Sequence, residues 1–512
     1  MSTGAAIIAH DLGTTGNKAT LVDETGVVVA ATTVAYSTDF GSHGKAEQDP
    51  GAWWHAVAEA TRTLLARVPG ARERIAAVSF SGQMMGAVFL DGAGEPVRPA
   101  MIWADTRSTA QADLLIDRIG MSDGYAITGH RLNATYSLPK IMWLRDNDPD
   151  AFGRTRRVVC AKDYVAYRLT SELATDPSDA SGMNAYDQRS GTWSEDILTA
   201  ADLAPSLFAP IVQSTAVVGV VTADAARITG LLAGTPVVMG GGDGPMAALG
   251  TGIVDSGSGA YAYLGSSSWV SYASSAPLHD PQMRSMTFNH VVPGMFVPTA
   301  TMQAGGASLQ WIVEILQPEG GDYAQLLRAA AGASASADGL FFLPHLLGER
   351  SPYWNPHARA AFVGLARHHS QANLTRAVLE GIAFNLYSGL RAFTDNGARI
   401  STVQVIGGAA RSDEVLSLLS DIWGMGIRRR ALVDEATALG AAIVGGVGVG
   451  VFDGFQIAER LSRTTGTFSP SETAHPTYVD AHASFVDAYR RLEPWFERSP
   501  SSPGLATTGK NR

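Results

Sequence analysis

Two similar hairpin patterns, one in each half of this 512-residue chain, constrain its fold more than any other feature. From Ala5 the segment AAIIAHDLGTTGNKATLVDETGVVVAATTVAY places three apolar runs around a Gly/Thr turn and a second turn at Asp23–Gly26, which predicts an antiparallel meander. In the second half, Gly259–Val270 again gives an apolar run, a Gly/Ser turn and an apolar run. Turns of this composition can present backbone N–H groups to an anion. The repetition predicts two lobes that face a shared cleft, where ligands bind.

Strands and helices alternate along the chain, which is typical of the α/β class. A helical pattern follows Asp49-Pro50, and Ile75–Phe80 then predicts a buried strand. A further strand at Thr235–Met239 leads into a glycine-rich turn and a helix from Pro245. A chain longer than about 250–300 residues forms more than one domain. We therefore predict an N-terminal lobe over residues 1–247, a C-terminal lobe over 248–495 and a flexible polar tail over 496–512.

Charge and composition exclude several classes of protein. The 38 Lys and Arg residues against 48 Asp and Glu give a net charge of −10, and without a long basic run we expect no binding to nucleic acid. A single cysteine, Cys160, cannot form an internal disulfide, and no basic segment opens the chain, which predicts a cytoplasmic protein. The apolar stretch Ala436–Phe452 is shorter than the ~20 residues that span a bilayer. We expect it to form a buried helix and expect no membrane association.

The loop Asp11–Lys18 (DLGTTGNK) has the features of a phosphate-binding turn. The common nucleotide fingerprints, Gly-x-x-x-x-Gly-Lys-Ser/Thr and Gly-x-Gly-x-x-Gly, do not occur in the chain. In this loop, however, the glycines free the backbone, the Thr hydroxyls add donors, and Lys18 adds positive charge. Asp11 at the strand end can hold Mg²⁺ through water. The same residues would also form an ordinary hairpin turn, so the motif alone leaves both interpretations open.

Asp243 follows three glycines at the end of an apolar strand and precedes a helix that opens with Gly244-Pro245. One interpretation is a helix cap. The other is a general base, because a carboxylate on a rigid strand end that faces a cleft can accept the proton of an attacking hydroxyl during phosphoryl transfer. The glycines would let a substrate approach closely.

The segments Gly82–Gly86 (GQMMG) and Trp103–Arg107 (WADTR) each follow an apolar run, so we expect both on loops at strand ends. Their amide, aromatic and carboxylate groups suit a polyhydroxylated ligand. Met84, Met85 and Trp103 would equally suit a hydrophobic core. Two further glycine turns that lead into helices, at 305–310 and 407–412, are weak signals taken singly.

Taken in order, these segments resemble the FGGY family of carbohydrate kinases, whose members share the actin-like (ribonuclease H-like) ATPase fold. The resemblance covers nearly the whole chain and is closest to the members that phosphorylate D-xylulose. The matching segments are Asp11–Lys18, Glu47–Pro50, Gly82–Gly86, Lys162–Tyr164, Asp176–Gly182, Gly240–Gly244, Gly348–Pro352, Ile406–Ala409 and Ala438–Ala442.

The resemblance implies phosphorylation of a small sugar by ATP and Mg²⁺, and it suggests a homodimer. Asp243 corresponds to the family's catalytic base and Asp11 to the carboxylate near the metal, so we expect both beside Mg²⁺. For the nucleotide, it implies Gly13, Thr14, Thr15 and Lys18 from the first lobe, and Gly265, Ser266, Gly306, Gln310, Gly408 and Ser412 from the second. For the sugar, it implies Gln83, Met84, Met85, Trp103 and Asp105, together with Asp243.

The chain departs from the family pattern on the sugar side. Kinases of D-xylulose commonly carry His where this chain has Met85, and an amide side chain where it has Gly244, and both changes remove hydrogen-bonding groups. Another pentulose, a hexulose, a polyol or a sugar acid therefore stays open as the acceptor, although the Gly82–Gly86 loop offers no cation for an acid. A nucleotide- or sugar-binding protein without catalysis is the alternative from a different class. His10 and His345 are unusual for the family, and the sequence gives no reason for either.

Overall fold

The computed structural model describes residues 4–317, 323–431 and 435–498 of the chain. Its strands are β1 (Ala6–Leu12), β2 (Gly16–Asp23), β3 (Val28–Ala35), β4 (Asp39–Phe40), β5 (Ala46–Gln48), β6 (Ile75–Gly82), β7 (Val88–Leu90), β8 (Ala100–Met101), β9 (Arg157–Val159), β10 (Tyr186–Asp187), β11 (Thr192–Trp193), β12 (Val217–Val220), β13 (Pro236–Val238), β14 (Gly241–Gly242), β15 (Ala260–Leu264), β16 (Ser268–Tyr272), β17 (Met286–Asn289), β18 (Phe296–Met302), β19 (Phe341–Leu343), β20 (Ala361–Val363), β21 (Thr402–Ile406), β22 (Gly426–Arg430) and β23 (Thr464–Phe468).

The helices are α1 (Pro50–Arg67), α2 (Thr109–Ile119), α3 (Met121–Thr128), α4 (Ser137–Asn147), α5 (Pro149–Arg154), α6 (Ala161–Thr170), α7 (Pro177–Ser181), α8 (Glu195–Ala201), α9 (Ala223–Thr229), α10 (Asp243–Gly250), α11 (Gly306–Leu316), α12 (Tyr323–Ala331), α13 (Gln371–Thr394), α14 (Asp413–Trp423), α15 (Ala436–Gly448), α16 (Ile457–Leu461) and α17 (Ala474–Arg498).

The first large sheet has the strand order β12-β13-β6-β1-β2-β3, and β14 pairs with β6 beside it. The antiparallel pairings of β1 with β2 and of β2 with β3 confirm the predicted meander. β6, the predicted buried strand, pairs in parallel with β1. Helix α1 begins where the Asp49 carboxylate accepts a hydrogen bond from Gly51 N, and it buries Trp53 and Leu64 in the same core as this sheet.

The second large sheet has the order β17-β18-β16-β15-β21-β22-β23. It repeats an arrangement of the first sheet, in which one strand of an antiparallel hairpin also pairs in parallel with a later strand. The hairpin β15–β16 is antiparallel, as predicted, and β15 also pairs in parallel with β21, as β1 does with β6. Each sheet thus places a glycine-containing turn at the carboxyl end of a central strand. The predicted two-lobe α/β architecture is confirmed.

Helix α15 connects the two halves. It comes from the C-terminal half of the chain, yet it packs against β1 and β6 of the first sheet and against α10. Small residues allow the close approach, because a Cβ added at Gly440 would lie 2.1 Å from Met246 O, and one at Gly250 would lie 1.8 Å from Ala436 O. The helix is buried over most of its length, as its Ala- and Gly-rich sequence predicts.

Between β6 and β12 the chain forms a helical region with its own core, which includes Leu115, Ile141 and Ile197. Cys160 is buried in this core, in the packing role that its residue type suggests. None of the helices within the described ranges is both long and apolar enough to cross a membrane. At the C-terminus, α17 continues to Arg498 with Phe496 buried, and residues 499–512 of the predicted tail lie outside the described ranges.

His10 lies on β1 in the interior of the first lobe. Its ring stacks on Phe80 with centroids 5.8 Å apart, Nδ1 lies 3.2 Å from Asn17 Nδ2, and Nε2 lies 3.2 Å from Thr61 Oγ1. Burial lowers the pKa of His10 to about 4, so the ring is neutral at physiological pH. His10 therefore acts as a packing residue that joins β1 and β2 to α1.

Candidate active site

A cavity of about 230 Å³ lies between the two lobes. It is lined by Thr14, Met84, Met85 and Trp103 from the first lobe, by Asp243 and Gly244 at the start of α10, and by Tyr263, Ser267, Ser268, Trp269, Met286, Phe288, Thr299, Thr301, Met302 and Arg350 from the second half. Several predicted site residues, far apart in sequence, thus meet at one place.

Asp243 begins α10 directly after β14, and its Oδ1 accepts a hydrogen bond of 2.8 Å from Gly244 N. Burial, reinforced by the negative charge of Asp11, raises the pKa of Asp243 to about 7. A carboxylate with a pKa near neutrality is well matched to taking a proton from a hydroxyl and releasing it again. The position at the cavity wall gives this carboxylate access to a ligand.

Asp11 reaches the same edge of the sheet as Asp243 because β1 and β14 both flank β6. Asp11 and Gly241 each pair in register with Ser81. Burial raises the pKa of the Asp11 carboxyl, against the opposing effects of the hydrogen bond from Thr437 and of the Lys18 charge. Two neighbouring carboxyls with raised pKa values favour a cation between or beside them, and oxygen ligands of this kind suit Mg²⁺. The pair therefore fits the metal that the resemblance implies.

The turn after β1 is held from several sides. Gly13 N donates to Gly16 O at 3.0 Å, and Gln48 Nε2 donates to Thr14 O at 2.6 Å. The Thr14 hydroxyl faces the cavity and accepts a hydrogen bond of 3.0 Å from Trp103 Nε1. Thr15 is exposed at the tip of the turn.

Lys18, on β2, forms an ion pair of 3.1 Å with Glu435, at the start of α15. The lysine predicted to face phosphates is thus linked to the C-terminal half of the chain.

The two loops predicted to bind the sugar divide into residues that reach the cavity and residues that do not. Met84, Met85 and Trp103 line it. Gln83 is buried beside it, with Nε2 donating to Gln48 Oε1 at 2.8 Å. Asp105 is not brought to the cavity, because it is fully buried, accepts from Ala46 N at 2.9 Å and pairs with Arg107 at 2.6 Å. Its carboxylate holds the loop together.

Met85 adopts a left-handed backbone conformation with φ of 63°, which is uncommon for a residue other than glycine. The buried ammonium of Lys140 supports this turn by donating to Met85 O at 3.2 Å, and it also donates to the carbonyls of Ala134, Thr135 and Tyr136. The sequence pattern had not singled out Lys140.

On the second lobe, the β15–β16 turn meets the start of α11. Gly306 N donates to Gly265 O at 2.8 Å, and Ala307 N donates to Ser266 O at 3.1 Å. A Cβ at Gly306 would lie 2.6 Å from Gly265 O, so only glycine allows this approach. The turn and the helix start together form the second-lobe counterpart of the Gly13–Lys18 turn.

A second, smaller cavity of about 30 Å³ adjoins the first, since Ser268 lines both. Its other lining residues are almost entirely apolar: Leu264, Gly306, Leu309, Leu379, Ile382, Ala409, Val415, Leu418 and Leu419. Gly408 lies at its edge next to Ala409. Ser412 caps α14 by accepting from Val415 N at 3.3 Å, and Gln310 Nε2 donates to Glu314 at 2.8 Å on the exposed face of α11.

Arg350 is a cavity residue to which the sequence analysis gave no role. Of the described residues that line the cavity, Arg350 alone carries a positive charge. Its Nε is buried without a hydrogen-bond partner in the described ranges, and burial lowers the pKa of its guanidinium. The sequence signals were the resemblance of the segment Gly348–Pro352 to the family and, within it, the charged pair Glu349-Arg350.

His345 lies next to the Arg350 loop. Its Nδ1 is 3.1 Å from Glu349 Oε2, and Glu349 also accepts from Gln303 N and from Asn385 Nδ2, both at 3.0 Å. His345 therefore helps to fix the buried carboxylate that anchors this loop.

Comparison with known proteins identifies the class to which this cleft belongs. The model of the FGGY family of carbohydrate kinases, N-terminal domain, matches residues 6–250, and the model of its C-terminal domain matches residues 260–449. The chain is 32% identical to the xylulose kinase of Lactococcus lactis subsp. lactis (strain IL1403) over 488 residues, which is 94% of this chain and 96% of that protein.

Solved structures show the same architecture. A ligand-bound xylulose kinase from Lactobacillus acidophilus superimposes with a TM-score of 0.92 at 25% identity, and a gluconate kinase from the same organism with a TM-score of 0.91 at 25% identity. In both cases 96% of this chain and 99% of the other are covered. The fold is thus the two-lobed, actin-like kinase fold that the sequence predicts. The chain belongs to the FGGY family of carbohydrate kinases.

Proposed function

We propose that the protein transfers the γ-phosphoryl group of ATP to a terminal hydroxyl of an open-chain ketopentose, with D-xylulose as the foremost acceptor. The observation that carries the proposal is the placement of Asp243, whose pKa is about 7, in the cavity between the lobes. The similarity to xylulose kinases over nearly the whole chain supports the choice of acceptor.

In this reaction the Asp243 carboxylate accepts the hydroxyl proton while the hydroxyl oxygen forms a bond to the γ-phosphorus. The bond between the γ-phosphorus and its bridging oxygen breaks, and ADP leaves with that electron pair. On the family resemblance, Thr14, Thr15 and Lys18 from the first lobe, and Gly265 and Ser266 from the second, contact the phosphates from two sides. On the same resemblance, Gly306, Gln310, Gly408 and Ser412 of the second lobe contact the rest of the nucleotide.

Asp11 and Asp243 are the residues that would hold Mg²⁺, which neutralises charge on the phosphates when bound. Burial raises both pKa values, and the negative charge of Asp11, which a cation would offset, raises that of Asp243 further. Enclosure of the cavity between the lobes limits access of water to the phosphoryl group.

A second candidate acceptor is a sugar acid, and Arg350 is the observation that favours it. The Gly82–Gly86 loop offers no cation, as the sequence indicates, but the second lobe supplies one to the same cavity. A guanidinium at a cavity wall can bind a ligand carboxylate through charge-assisted hydrogen bonds.

The test is ADP release with Mg·ATP across D-xylulose, other pentuloses, hexuloses, polyols and D-gluconate, with the phosphorylated position assigned by NMR. The highest kcat/KM for D-xylulose supports the proposal, and the highest value for D-gluconate supports the second candidate. ADP release that no sugar stimulates contradicts both and favours a binding protein. On the family resemblance we also propose that the protein is cytoplasmic and forms a homodimer. Light scattering, which measures the molar mass in solution, tests the oligomeric state.

A further inference from the structure

A cluster of four buried charged side chains lies beneath the cavity floor. Lys162 Nζ is 2.6 Å from Asp163 Oδ1, 3.0 Å from Asp176 Oδ1 and 3.0 Å from Asp179 Oδ2. All four side chains have zero exposure. The ammonium group thus lies within 3.0 Å of an oxygen of each of the three carboxylates.

The cluster is fixed in one arrangement. Burial opposes the charge of Lys162, but the three carboxylates hold its pKa well above the usual value. Burial raises the pKa of Asp163, and it raises that of Asp179 well above the usual range. A buried cation paired in this way is costly to disturb. The cluster can therefore serve as a rigid base for the loops above it.

Asp176 directs the hydroxyl of Ser178. Asp176 Oδ2 accepts hydrogen bonds from Ser178 Oγ at 2.6 Å and from Ser214 Oγ at 2.7 Å. Because the Ser178 hydroxyl gives its proton to Asp176, its oxygen is left as an acceptor. Gly242 N donates to that oxygen at 2.8 Å.

Gly242 immediately precedes Asp243, and the strand that carries it, β14, is only two residues long. The backbone carbonyl of Gly244, the residue after Asp243, is also held, because Tyr261 Oη donates to it at 2.9 Å. Strand β14 is tightly packed against Ser178, since a Cβ added at Gly241 would lie 2.7 Å from Ser178 Oγ. The backbone that carries Asp243 is thus fixed at the residue before it and at the residue after it.

We propose that Ser178 is a positioning residue for the catalytic base: its hydroxyl, oriented by Asp176, holds Gly242 N and thereby sets the direction of the Asp243 carboxylate. This inference rests on the proposed function, because it assigns Asp243 the role of base. Ser178 touches no ligand, as it is fully buried below the cavity.

Ser214 provides a matched control. It is buried and donates a hydrogen bond of nearly the same length to the same oxygen of Asp176, but within the described residues its hydroxyl forms no hydrogen bond to β14 or to Asp243. Ser214→Ala and Ser178→Ala therefore remove equivalent support from Asp176, and only Ser178→Ala frees Gly242 N.

The experiment measures kcat, both KM values and the melting temperature for the wild-type enzyme, Ser178→Ala, Ser178→Thr and Ser214→Ala, with Mg·ATP and the best acceptor. For Ser178→Ala we expect kcat to fall by about 10- to 100-fold with both KM values little changed, since a small misplacement of a reacting group costs that much. Ser178→Thr keeps the hydroxyl and should restore most of kcat. Ser214→Ala should lose a similar amount of thermal stability and keep its kcat.

Equal kcat values for Ser178→Ala and Ser214→Ala would overturn the inference while leaving the proposed function intact. A wild-type enzyme that phosphorylates no sugar would overturn both. If Ser178→Ala does not fold, Ser178→Cys carries the same expectation, because sulfur fills the space of the hydroxyl oxygen but is a weak acceptor.

Discussion

Thr437 Oγ1 donates a hydrogen bond of 2.5 Å to Asp11 Oδ2, joining the first turn of α15 to the carboxylate at the end of β1. Glu435, two residues before Thr437, forms the ion pair of 3.1 Å with Lys18. The phosphate-facing turn of the first lobe is therefore tied to the C-terminal half of the chain by two polar contacts.

Thr437→Val keeps the shape of the side chain and removes this hydrogen bond. We expect the free energy of unfolding to fall by about 1–3 kcal/mol, the range for a buried bond to a charged group. Urea denaturation of the variant, with Thr437→Ser as the control that keeps the hydroxyl, measures the change. A Val variant as stable as the Ser variant would show that the contact contributes nothing to the fold.

The pH dependence of kcat/KM for the sugar follows from the pKa of Asp243, which is about 7. The base must be deprotonated to act, so kcat/KM should fall as the pH drops below this value, approaching tenfold per unit. Bound Mg²⁺ favours the charged carboxylate and would move the limb to lower pH without removing it. Rates recorded from pH 5 to pH 8 test this, and a flat profile over that range would exclude Asp243 as the titrating base.

Substitution of Arg350 should weaken binding of the acceptor without lowering the stability of the fold. Arg350→Met replaces a partly buried cation, whose Nε has no hydrogen-bond partner within the described residues, with an apolar side chain of similar length, so we expect no loss of melting temperature. The KM for the acceptor should rise by about 10- to 100-fold, as expected for loss of a charge-assisted hydrogen bond. Steady-state kinetics and a thermal melt measure both effects. An unchanged acceptor KM would remove Arg350 from the acceptor site.

Gly306 and Gly408, which the resemblance assigns to the nucleotide, give opposite predictions for stability. Gly306→Ala should lower the melting temperature and raise the KM for ATP, because the added methyl meets Gly265 O at 2.6 Å. Gly408→Ala should keep the melting temperature, because no heavy atom of the described residues, apart from its chain neighbours, lies within 4 Å of the added methyl, and it should raise the KM for ATP only through contact with the nucleotide. Identical effects on stability would contradict the packing described at Gly306.

The sequence predicts those parts of the fold that depend on local pattern. The β1–β3 meander and the β15–β16 hairpin are marked by alternating apolar runs and glycine turns, and the structure confirms both. The sequence indicated Asp11 and Asp243 because each stands at the end of an apolar strand. Their strands, β1 and β14, both pair in parallel with β6, so the two residues lie at the same edge of the sheet.

Contacts between segments that are far apart in the sequence could not be predicted from the local sequence pattern. Asp105 follows an apolar run just as Trp103 does, yet its carboxylate turns inward to Arg107, and only the packed loop decides that direction. Thr437 is one hydroxyl in an Ala- and Gly-rich helix, and its role depends on where α15 crosses the first sheet. Arg350 lies on a loop whose path is set by the buried Glu349.

The most direct test of the account is sugar-dependent ADP release by Asp243→Asn beside the wild-type enzyme, with ATP binding measured by calorimetry on both. Asn keeps the size of the side chain and cannot accept the hydroxyl proton. We expect the rate to fall by about 10²- to 10⁴-fold while ATP still binds. Turnover close to wild type in the Asn variant would contradict the assignment of Asp243 as the catalytic base.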